Sequence, residues 1–544
     1  MIPNRVKEFS MRPLRWMISI GMFVLPVVPV HAAIDLTGIG TRAQSMGGNF
    51  RSIADDYSAM FWNPAGLAFQ EGNHLGFSMT IVDQSSTFRV APSPLYMKKE
   101  VSGPQALPDE SIRQFSAVYP KSIRSSTPVV AVPSIGFIHG QKQWSFGLGI
   151  WAAFGVRARY DLIGTSAYGR NPLFSGIDWN DDMKFIDIHP TVALRLSDNF
   201  SVGMGFSLII ADIYLQKPAF SPMNPYLTNN AIPSLFQEYA GSLPEFRQAE
   251  LTAALADIRS NPKDHLIADT YLKGRGLGTG GNLGILYKPF QHFQIGASVQ
   301  YYANIPVRGE ATIYVYYPYQ ESIQPLLADS VNIGGQSYQG LLAFYNQAYQ
   351  DGKIDFTEYY LLSKTGFGSV DTSRNHEDIS ADMALPLRAG IGMSYTGFPG
   401  LTLAADISLT TWSAWDVFQI LDEDGRPFSR IEKDWKNVIR MGCGFEYDFR
   451  YWTLRGGFYT ESRAAIDATM VPANPDVNRR YVFSLGFEIP WQKYRFFACY
   501  EHTFMKDLNI ETWVPFDNRF DYKNLAGHYT SSMRNLMIGL DVAL

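Results

Sequence analysis

The chain has 544 residues, of which 18% are charged and 14% are aromatic, and its formal net charge is −5. A soluble enzyme of this length usually carries about a quarter charged residues, and a negative net charge does not favour contact with the phosphates of a nucleic acid. The composition therefore disfavours a soluble enzyme and a nucleic-acid-binding protein.

The N-terminus carries a predicted signal peptide over residues 1–32. Basic residues precede an apolar run from Trp16 to Val30, and Val30-His31-Ala32 offers small residues at the positions that a signal peptidase recognises. The alternative is an N-terminal membrane anchor, but the run has about 15 residues where a spanning helix needs roughly 20. We therefore expect cleavage and a mature chain that begins near Ala33.

Residues 33–73 are predicted to form a plug, or hatch, inside a barrel. The stretch is rich in glycine and small residues and shows no alternation of apolar and polar positions. A short helix is predicted over residues 52–60. A disordered leader is the alternative, but Tyr57, Phe61 and Trp62 make the stretch too apolar for disorder.

Residues 74–544 are predicted to form an all-β, 14-stranded antiparallel transmembrane barrel, with the hatch inside its lumen. From Phe200 to Ile210 every second residue is apolar, and serine and glycine lie between them. Such alternation over more than about ten residues is typical of a tilted strand that crosses a membrane. The same pattern recurs at the C-terminus from Leu536 to Leu544. A β-sandwich is the less probable alternative, because it would need long strands with short turns at one end only.

Short and long connections alternate along the predicted strands, as they do between the periplasmic turns and extracellular loops of bacterial barrels. Six short turns follow residues 139, 196, 288, 396, 449 and 489. The predicted strands are 74–84, 128–139, 143–156, 182–196, 200–214, 272–288, 292–315, 378–396, 400–416, 433–449, 452–463, 479–489, 493–508 and 529–544. Cys443 and Cys499 fall on opposite faces of their strands, so a disulfide is not expected.

The N-terminal stretch resembles the hatch of the FadL/TodX family of outer-membrane hydrophobic-compound transporters. The resemblance rests on Met46-Gly47-Gly48-Asn49, on Ala54-Asp55-Asp56, and on the segment from Phe61 to Leu67. Later strands are similar too, among them the stretch from Pro133 to Phe137. The hatch motif that the resemblance identifies consists of Asn63, Pro64, Ala65, Gly66 and Leu67.

The resemblance implies a passive channel for hydrophobic compounds, most of all long-chain fatty acids or hydrocarbons. It implies capture among extracellular loops, rearrangement of the hatch and lateral exit near a kinked third strand. The Met-Gly-Gly and Phe-Trp-Asn-Pro forms also resemble PorV-like proteins, so a component of a protein secretion or surface-attachment system is the alternative. A general diffusion porin is a third possibility, which a plug argues against.

Two loop helices are candidates for an apolar entry groove. One is predicted over residues 242–260, where Ser242 and Glu245 form a capping box, and the other over residues 339–350. An apolar stripe at helical spacing equally fits a helix that is packed on its neighbours. The predicted groove residues are Leu243, Phe246, Leu251, Leu255, Ile258, Leu341, Leu342, Phe344 and Tyr345.

Alternation places several cations in the lumen, where arginine suits the carboxylate headgroup of a ligand. The alternative is that each pairs with an acidic side chain of the lumen, such as Asp187, Asp406, Glu446 or Glu488, or with the plug. Glycines at 147, 149 and 155 of the third strand permit a bend or make room for the plug. The candidate lumen cations are Arg195, Arg388, Lys436, Arg440 and Arg455.

Signals for catalysis are thin. The nine histidines are scattered, and neither metal-ligand spacing nor a Gly-x-Ser-x-Gly nucleophile motif occurs. We expect no enzymatic activity, no metal and no cofactor. The expected partners are outer-membrane lipid, lipopolysaccharide and a hydrophobic ligand, with secretion-system proteins under the alternative function, and the expected state is a monomer in the cell outer membrane.

Overall fold

The computed structural model of the chain describes residues 38–91, 122–161, 179–222, 265–317, 330–333, 335–364, 370–474, 476–514 and 523–544, and eight separate residues between 235 and 249. The predicted signal peptide lies outside the described residues. So do the groove residues predicted on the first loop helix: Leu243, Phe246, Leu251, Leu255 and Ile258.

Fourteen antiparallel strands form the barrel. We number them β1 (Gly72–Val90), β2 (Val130–Gly140), β3 (Trp144–Tyr160), β4 (Trp179–Arg195), β5 (Phe200–Pro222), β6 (His265–Phe290), β7 (Phe293–Tyr302, continuing as Ile305–Tyr316), β8 (Val370–Met383, continuing as Arg388–Phe398), β9 (Leu401–Thr410), β10 (Val438–Asp448), β11 (Thr453–Glu461), β12 (Arg480–Trp491), β13 (Tyr494–Met505) and β14 (Gly527–Ala543).

Shorter helices, 3-10 turns and strands accompany the barrel strands. The helices are Thr41–Ser45, Ala59–Trp62, Gly340–Gln350 and Phe356–Lys364, with 3-10 turns at Pro64–Phe69, Trp412–Ala414 and Asp467–Thr469. The additional strands are Ile123–Arg124, Ser330–Ile333, Gln336–Gln339, Val417–Leu421, Pro427–Glu432 and Leu508–Ile510. Of the helices in the described part of the chain, none is long and apolar enough to cross a membrane.

The barrel closes between its first and last strands. β1 pairs with β14 without interruption, from His74 opposite Ala543 to Val90 opposite Gly527. Closure removes the unpaired backbone edges that a bilayer cannot hydrogen-bond. The predicted 14-stranded antiparallel barrel is confirmed.

The predicted faces are also confirmed where the alternation is regular. Along β5, Met204 and Phe206 are 56% and 52% exposed, whereas Ser201 and Ser207 are fully buried. Since successive side chains of a strand point to opposite faces, the apolar set covers the outside and the small polar set faces the lumen. Cys443 is exposed, Cys499 is buried, and both are free thiols, as their predicted faces require.

Aromatic side chains lie at the tips of the short turns. Phe290, Phe398, Tyr451 and Trp491 are each more than half exposed, and Arg450 adopts a left-handed φ of 73° beside one of them. Rings at one rim are the interfacial girdle that flanks the apolar band of membrane barrels. The short-turn end therefore marks one boundary of the membrane band.

Several strand boundaries differ from the prediction. β5 and β6 continue in pairing as far as Pro222 and His265, which shortens the predicted loop between them. β8 begins at Val370, before the predicted residue 378, and is interrupted between Met383 and Arg388. The connection predicted over 417–432 contains a hairpin, because its two halves pair with each other.

The interruption in β8 changes the position of Leu385. Alternation places Leu385 on the outward face of a continuous strand, but its side chain is buried in the interior core. Alternation fails here because a break in the extended backbone resets the period-two pattern.

Candidate ligand channel through the barrel

Residues 38–70, here called the N-terminal segment, contact inward-facing residues on opposite sides of the barrel. The Ser201 hydroxyl of β5 donates to the Ala65 carbonyl at 2.8 Å, and the Ser484 hydroxyl of β12 donates to the Ser45 carbonyl at 3.0 Å. The segment therefore lies across the lumen. Its helices are Thr41–Ser45 and Ala59–Trp62, so the short helix predicted over 52–60 begins much later than expected.

Inward-facing glycines make room for the segment. A Cβ atom at Gly457 would collide with the backbone of Met46 and Gly47, and one at Gly203 would collide with Pro64. A glycine without a side chain allows two backbones to approach closely. The wall is thus shaped to the segment on both sides of the lumen.

We expect Gly457→Leu to displace the N-terminal segment and open the lumen, because a fourteen-stranded barrel is too wide for its own strand side chains to fill. Sugar flux in a liposome-swelling assay is expected to rise by about an order of magnitude, since the wide lumen then stays unblocked. Gly456→Leu is the matched control, because a Cβ atom there would collide with the outward-facing Phe445 ring and not with the N-terminal segment. Equal flux through both variants would contradict the prediction.

The Asn-Pro-Ala-Gly-Leu motif joins two parts of the segment to the wall. The Asn63 amide nitrogen donates to the carbonyls of Arg51 at 2.8 Å and Ile285 at 2.9 Å. Its amide oxygen accepts from the Ala65 backbone N–H at 3.2 Å and so caps the 3-10 turn that follows. All five motif residues, Asn63 to Leu67, are buried.

Ion pairs hold the other half of the segment. Arg42 Nε lies 2.9 Å from Glu446 of β10, and Arg42 also pairs with Asp55. The Phe50 backbone N–H donates to the Asp406 carboxylate of β9 at 2.8 Å. Buried charges of this kind need such partners, since an unpaired charge away from water is costly.

An aromatic cluster fills the lumen beyond the segment. Trp415 and Trp435 stack with ring centroids 5.0 Å apart, and Phe154 contacts Trp412 at 6.0 Å. Most of its members are buried in one core that also contains the segment. The cluster consists of Phe61, Trp151, Phe154, Tyr302, Trp412, Trp415 and Trp435.

Two cations touch this aromatic cluster. The Arg388 guanidinium carbon lies 4.1 Å from the Phe154 ring centroid and 5.6 Å from that of Phe61. Lys433 Nζ lies 5.6 Å from the Trp435 ring. Burial lowers the pKa of Lys433 below the ordinary lysine value, and the charge of Asp181 opposes that shift. The cluster therefore offers apolar surface with positive charge at its edge.

The backbone ladder of the barrel wall is interrupted between β2 and β3 on one side of the cluster, and we call this interruption the gap. Their pairing ends at Ser134 opposite Trp151, although β2 continues to Val130 and β3 to Tyr160. The chain just before β2 contacts β3 again, where the Ser126 backbone N–H donates to the Arg159 carbonyl at 2.9 Å. In the described part of these strands, the stretch between these two contacts has no ladder pairing.

A β-bulge in β3 accompanies this gap. The register of β3 against β4 shifts between Ala152 and Phe154. Before the bulge the buried positions are odd-numbered, as at Trp151, and after it they are even-numbered, as at Val156. A bulge inserts one residue and bends its strand. The third strand thus departs from its neighbour at the level of the aromatic cluster.

The structure separates the five predicted lumen cations. Arg388 alone of the five contacts the aromatic cluster among the ring contacts described. Arg440 donates to the Gly47 carbonyl at 2.6 Å, and Arg455 pairs with Glu446 and Glu488. Arg195 pairs with Asp198 at 2.9 Å in a short turn. Three of the five therefore contact an acidic partner or the segment, which was the alternative.

Lys436 corrects the prediction. The strand predicted over 433–449 begins at Val438, so Lys436 lies in the connection before it and its side chain is exposed. Alternation does not extend to residues outside a strand. The aromatic residues Trp412, Trp415 and Trp435 were missed as lumen residues, although their position just beyond β9 and before β10 was a usable signal.

The second predicted loop helix is present at Gly340–Gln350. Leu341, Phe344 and Tyr345 are buried, and Phe344 contacts the Tyr239 ring at 5.1 Å. Leu342 is exposed. Most of the predicted stripe is thus packed on neighbouring elements.

Residues 32–533 match the family model described as outer membrane protein transport protein (OMPP1/FadL/TodX). The chain belongs to the FadL/TodX family. The matched region includes the N-terminal segment and all but the end of the barrel, and it assigns this FadL/TodX-family protein to the outer membrane.

The long-chain fatty acid transport protein of Escherichia coli is 22% identical over 363 residues. That alignment covers 66% of each protein, so the chain spans just under two thirds of this relative. Among solved structures, a Pseudomonas aeruginosa FadL homologue has a TM-score of 0.61 at 16% identity, covering 94% of this chain and 100% of that chain. At this identity the likeness shows the shared fold.

The toluene transporter TodX of Pseudomonas putida has a TM-score of 0.57 at 14% identity, covering 94% of this chain and 99% of that one. The Ralstonia pickettii toluene transporter TbuX has a TM-score of 0.54 at 15% identity, with the same coverage. The architecture of this FadL/TodX-family protein is therefore shared with two proteins that are named as toluene transporters.

Proposed function

We propose that the protein is a passive channel for hydrophobic compounds, most of all long-chain fatty acids or hydrocarbons, across the outer membrane. The observation that carries the proposal is the aromatic cluster, which adjoins the N-terminal segment on one side and the gap between β2 and β3 on another. An apolar compound loses contact with water when it enters such a path, and this change alone supplies the driving force.

The N-terminal segment acts as the hatch in this proposal. Its contacts are hydrogen bonds and ion pairs with the wall, including Arg42 with Glu446 and Asn63 with the Ile285 carbonyl. These can be exchanged one set at a time, so the segment shifts without leaving the lumen. We place the signal peptide at residues 1–32, the hatch at 33–73 and the barrel at 74–544.

Exit is proposed through the gap between β2 and β3. Val130 and Val132 of β2 form an apolar cluster against which Ala152 of β3 packs. A strand gap that leads from an apolar interior to the lipid phase spares the ligand the aqueous periplasm. A carboxylate headgroup would be held by Arg388 and Lys433 beside the aromatic cluster, because both cations lie at its edge. Arg195 and Arg455 pair with acidic side chains, and Arg440 contacts the N-terminal segment.

Entry is proposed among the extracellular loops. The helix predicted over 242–260 and the helix Gly340–Gln350 would carry the apolar groove, and on the second of these Leu342 is exposed. We expect a photoreactive fatty acid to label residues 243–258 or 341–348 in the intact protein, because exposed apolar surface outside the membrane is where an apolar compound first binds. Labelling that is absent from both stretches and present elsewhere would contradict the entry site.

The alternatives receive less support. The matched family model describes transport, which favours a channel over the PorV-like secretion component. A general porin conflicts with a lumen crossed by the N-terminal segment. The family description names no catalysis, and we propose a non-enzymatic monomer whose partners are lipid, lipopolysaccharide and the ligand.

Uptake by cells that lack the gene, with and without the cloned protein, tests the proposed function. We expect the protein to restore uptake of a long-chain fatty acid or a monoaromatic hydrocarbon and to leave sugar permeability unchanged. Elongated density beside the aromatic cluster in a detergent-purified sample would support the same path. A protein that increases sugar flux and restores no uptake of a hydrophobic compound would overturn the proposal.

A further inference from the structure

A buried polar network lies in the barrel wall beside the N-terminal segment. It consists of Asp187 and His189 of β4, Ser207 of β5 and Asn282 of β6, and none of these residues is more than 3% exposed. We call these four residues the relay. Such a group of polar side chains is costly to bury unless every member is hydrogen-bonded.

The relay is connected from end to end. The Ser207 hydroxyl donates to Asp187 Oδ2 at 2.9 Å and lies 2.9 Å from His189 Nδ1. His189 Nε2 lies 3.2 Å from the Asn282 amide oxygen. His189 Nδ1 is also 3.4 Å from Asp187 Oδ2. These contacts connect β4 and β5 to Asn282 of β6.

The far end of the relay holds the N-terminal segment. The Asn282 amide nitrogen donates to the Met60 carbonyl at 2.6 Å, and Met60 belongs to the short helix Ala59–Trp62. A Cβ atom at Gly205 would collide with His189 Nε2 and lie 2.5 Å from the Asn282 oxygen. Glycine at this position therefore lets the imidazole reach the amide.

The contact with Met60 fixes which way the Asn282 amide points. Its NH₂ group must face the Met60 carbonyl, so its oxygen faces His189 and accepts a hydrogen bond there. His189 Nε2 must then carry a proton. Nδ1, the Ser207 hydroxyl and Asp187 Oδ2 remain to be paired with one another.

A neutral imidazole beside a carboxylate ion leaves that pairing incomplete. The single Ser207 hydrogen can be donated to Asp187 or to His189 Nδ1, so one acceptor faces another without a proton between them. One additional proton, on either His189 or Asp187, completes every hydrogen bond. The other carboxylate oxygen, Asp187 Oδ1, has no hydrogen-bond partner among the described residues, which further disfavours an uncompensated carboxylate ion.

We propose that the relay is a proton-dependent lock on the N-terminal segment: with one shared proton between Asp187 and His189 it holds Met60 through Asn282, and without that proton it releases Met60. The groups described against the relay from other elements are uncharged. They are the Trp151 ring of β3, 5.0 Å from the His189 ring, and the Met60 carbonyl. Asp187 is thus the charge that His189 faces in the described contacts.

Loss of the proton places the lone pairs of Nδ1 and Asp187 against each other at the distance now spanned by Ser207. Relief requires the imidazole to turn, and turning removes the donor from the Asn282 oxygen. The buried Asn282 oxygen is then left without a donor, which is costly, and the amide recovers that free energy by leaving its present position and with it the bond to Met60. This inference concerns the position of the segment and does not depend on which compound the channel carries.

Hydrogen–deuterium exchange of the purified protein in detergent tests the lock. We measure amide protection of residues 59–63 from about pH 5 to about pH 9 and correct for the intrinsic pH dependence of exchange. In the unmodified protein, protection is expected to fall about fivefold across this range, as expected for the loss of roughly one hydrogen bond between uncharged groups.

His189→Asn and Ser207→Ala are expected to give protection that does not change with pH. Each variant lacks one of the three side chains, Asp187, Ser207 and His189, among which the proton is shared. Ser201→Ala is the matched control, because Ser201 donates to the Ala65 carbonyl of the same segment and touches no titratable group among its described contacts. It is expected to keep the full pH dependence.

Protection that is independent of pH in the unmodified protein would overturn the proposal, as would a pH dependence that survives in both His189→Asn and Ser207→Ala. Should one of these variants fail to fold, nitrogen-15 NMR of histidine-labelled protein provides a second readout. If the nitrogen signals of the His189 ring show no change of protonation across this pH range, the lock is contradicted.

Discussion

Deletion of Ala153 is expected to remove most uptake of hydrophobic compounds while the barrel still folds. The register of β3 against β4 shifts between Ala152 and Phe154, so Ala153 is the additional residue of the bulge. Without it the strand can straighten, and pairing with β2 can continue past Trp151. A continuous ladder closes the gap through which the ligand is proposed to leave.

The deletion leaves the neighbouring aromatic side chains on the inward face of the strand. Trp151 and Phe154 are both buried and lie on either side of the bulge. Removing one residue between them restores strict alternation, so each keeps its inward orientation. A loss of uptake would therefore report on the gap and not on misplaced aromatic rings.

Uptake of a radiolabelled long-chain fatty acid by cells is the measurement, with the heat-dependent shift on gel electrophoresis as the check on folding. We expect uptake to fall by about an order of magnitude or more, since continuous pairing leaves no lipid-facing opening in the wall. Ala153→Gly is the matched control, because it retains the additional residue. Normal uptake by a folded deletion variant would exclude exit at this gap.

The regular part of this fold was predictable from sequence because membrane strands obey a simple rule. From Phe200 to Ile210 the outward and inward residues follow the period-two pattern, and the structure exposes and buries them accordingly. The short turns were equally predictable, since lipid on one side and pairing on both edges leave little freedom in strand length or connection.

The functional features are departures from that rule, and alternation cannot predict them. Alternation assigns Leu385 to the wrong face because β8 is interrupted. The inward face of β3 changes from odd to even residues at a bulge, and the two adjacent alanines at that place give no sign of it in the sequence. Glycines at 147 and 149 proved to lie against Met60 and Trp151. They make room for the lumen contents in the same strand that bends farther along, at the bulge.

The candidate site was predictable only in part for a related reason. Arg388, Arg440 and Arg455 share the lumen face, and sequence treats them alike. Their partners come from residues that are distant in sequence, such as Phe154 for Arg388 and Glu488 for Arg455. Only three-dimensional pairing distinguishes a cation that neutralises a buried carboxylate from one that lies against aromatic rings.

Arg388→Leu is expected to weaken binding of fatty acids selectively and to spare uncharged aromatic hydrocarbons. Arg388 lies between Phe154 and Phe61 at the edge of the aromatic cluster, where a carboxylate headgroup would gain a charge-assisted pair. Hydrogen bonds to charged groups contribute roughly 1.5–3 kcal/mol, so we expect a loss of about ten- to a hundredfold in fatty-acid affinity.

The measurement compares the affinities of a long-chain fatty acid and toluene for detergent-purified protein. Leucine preserves apolar contact with the rings, so hydrocarbon affinity is expected to change by less than about threefold. Arg388→Lys is expected to recover part of the fatty-acid affinity, because lysine retains the charge but not the bidentate geometry. Arg195→Leu is the matched control, since Arg195 pairs with Asp198 in a short turn.

The two ligands separate a headgroup role from a packing role. Arg388 also touches both rings as a cation, so its removal could disturb the aromatic cluster itself. A disturbed cluster would reduce affinity for toluene and the fatty acid together, whereas a lost headgroup partner reduces affinity for the fatty acid alone. Parallel losses would assign Arg388 to the packing of the lumen and leave Lys433 as the cation that faces a carboxylate.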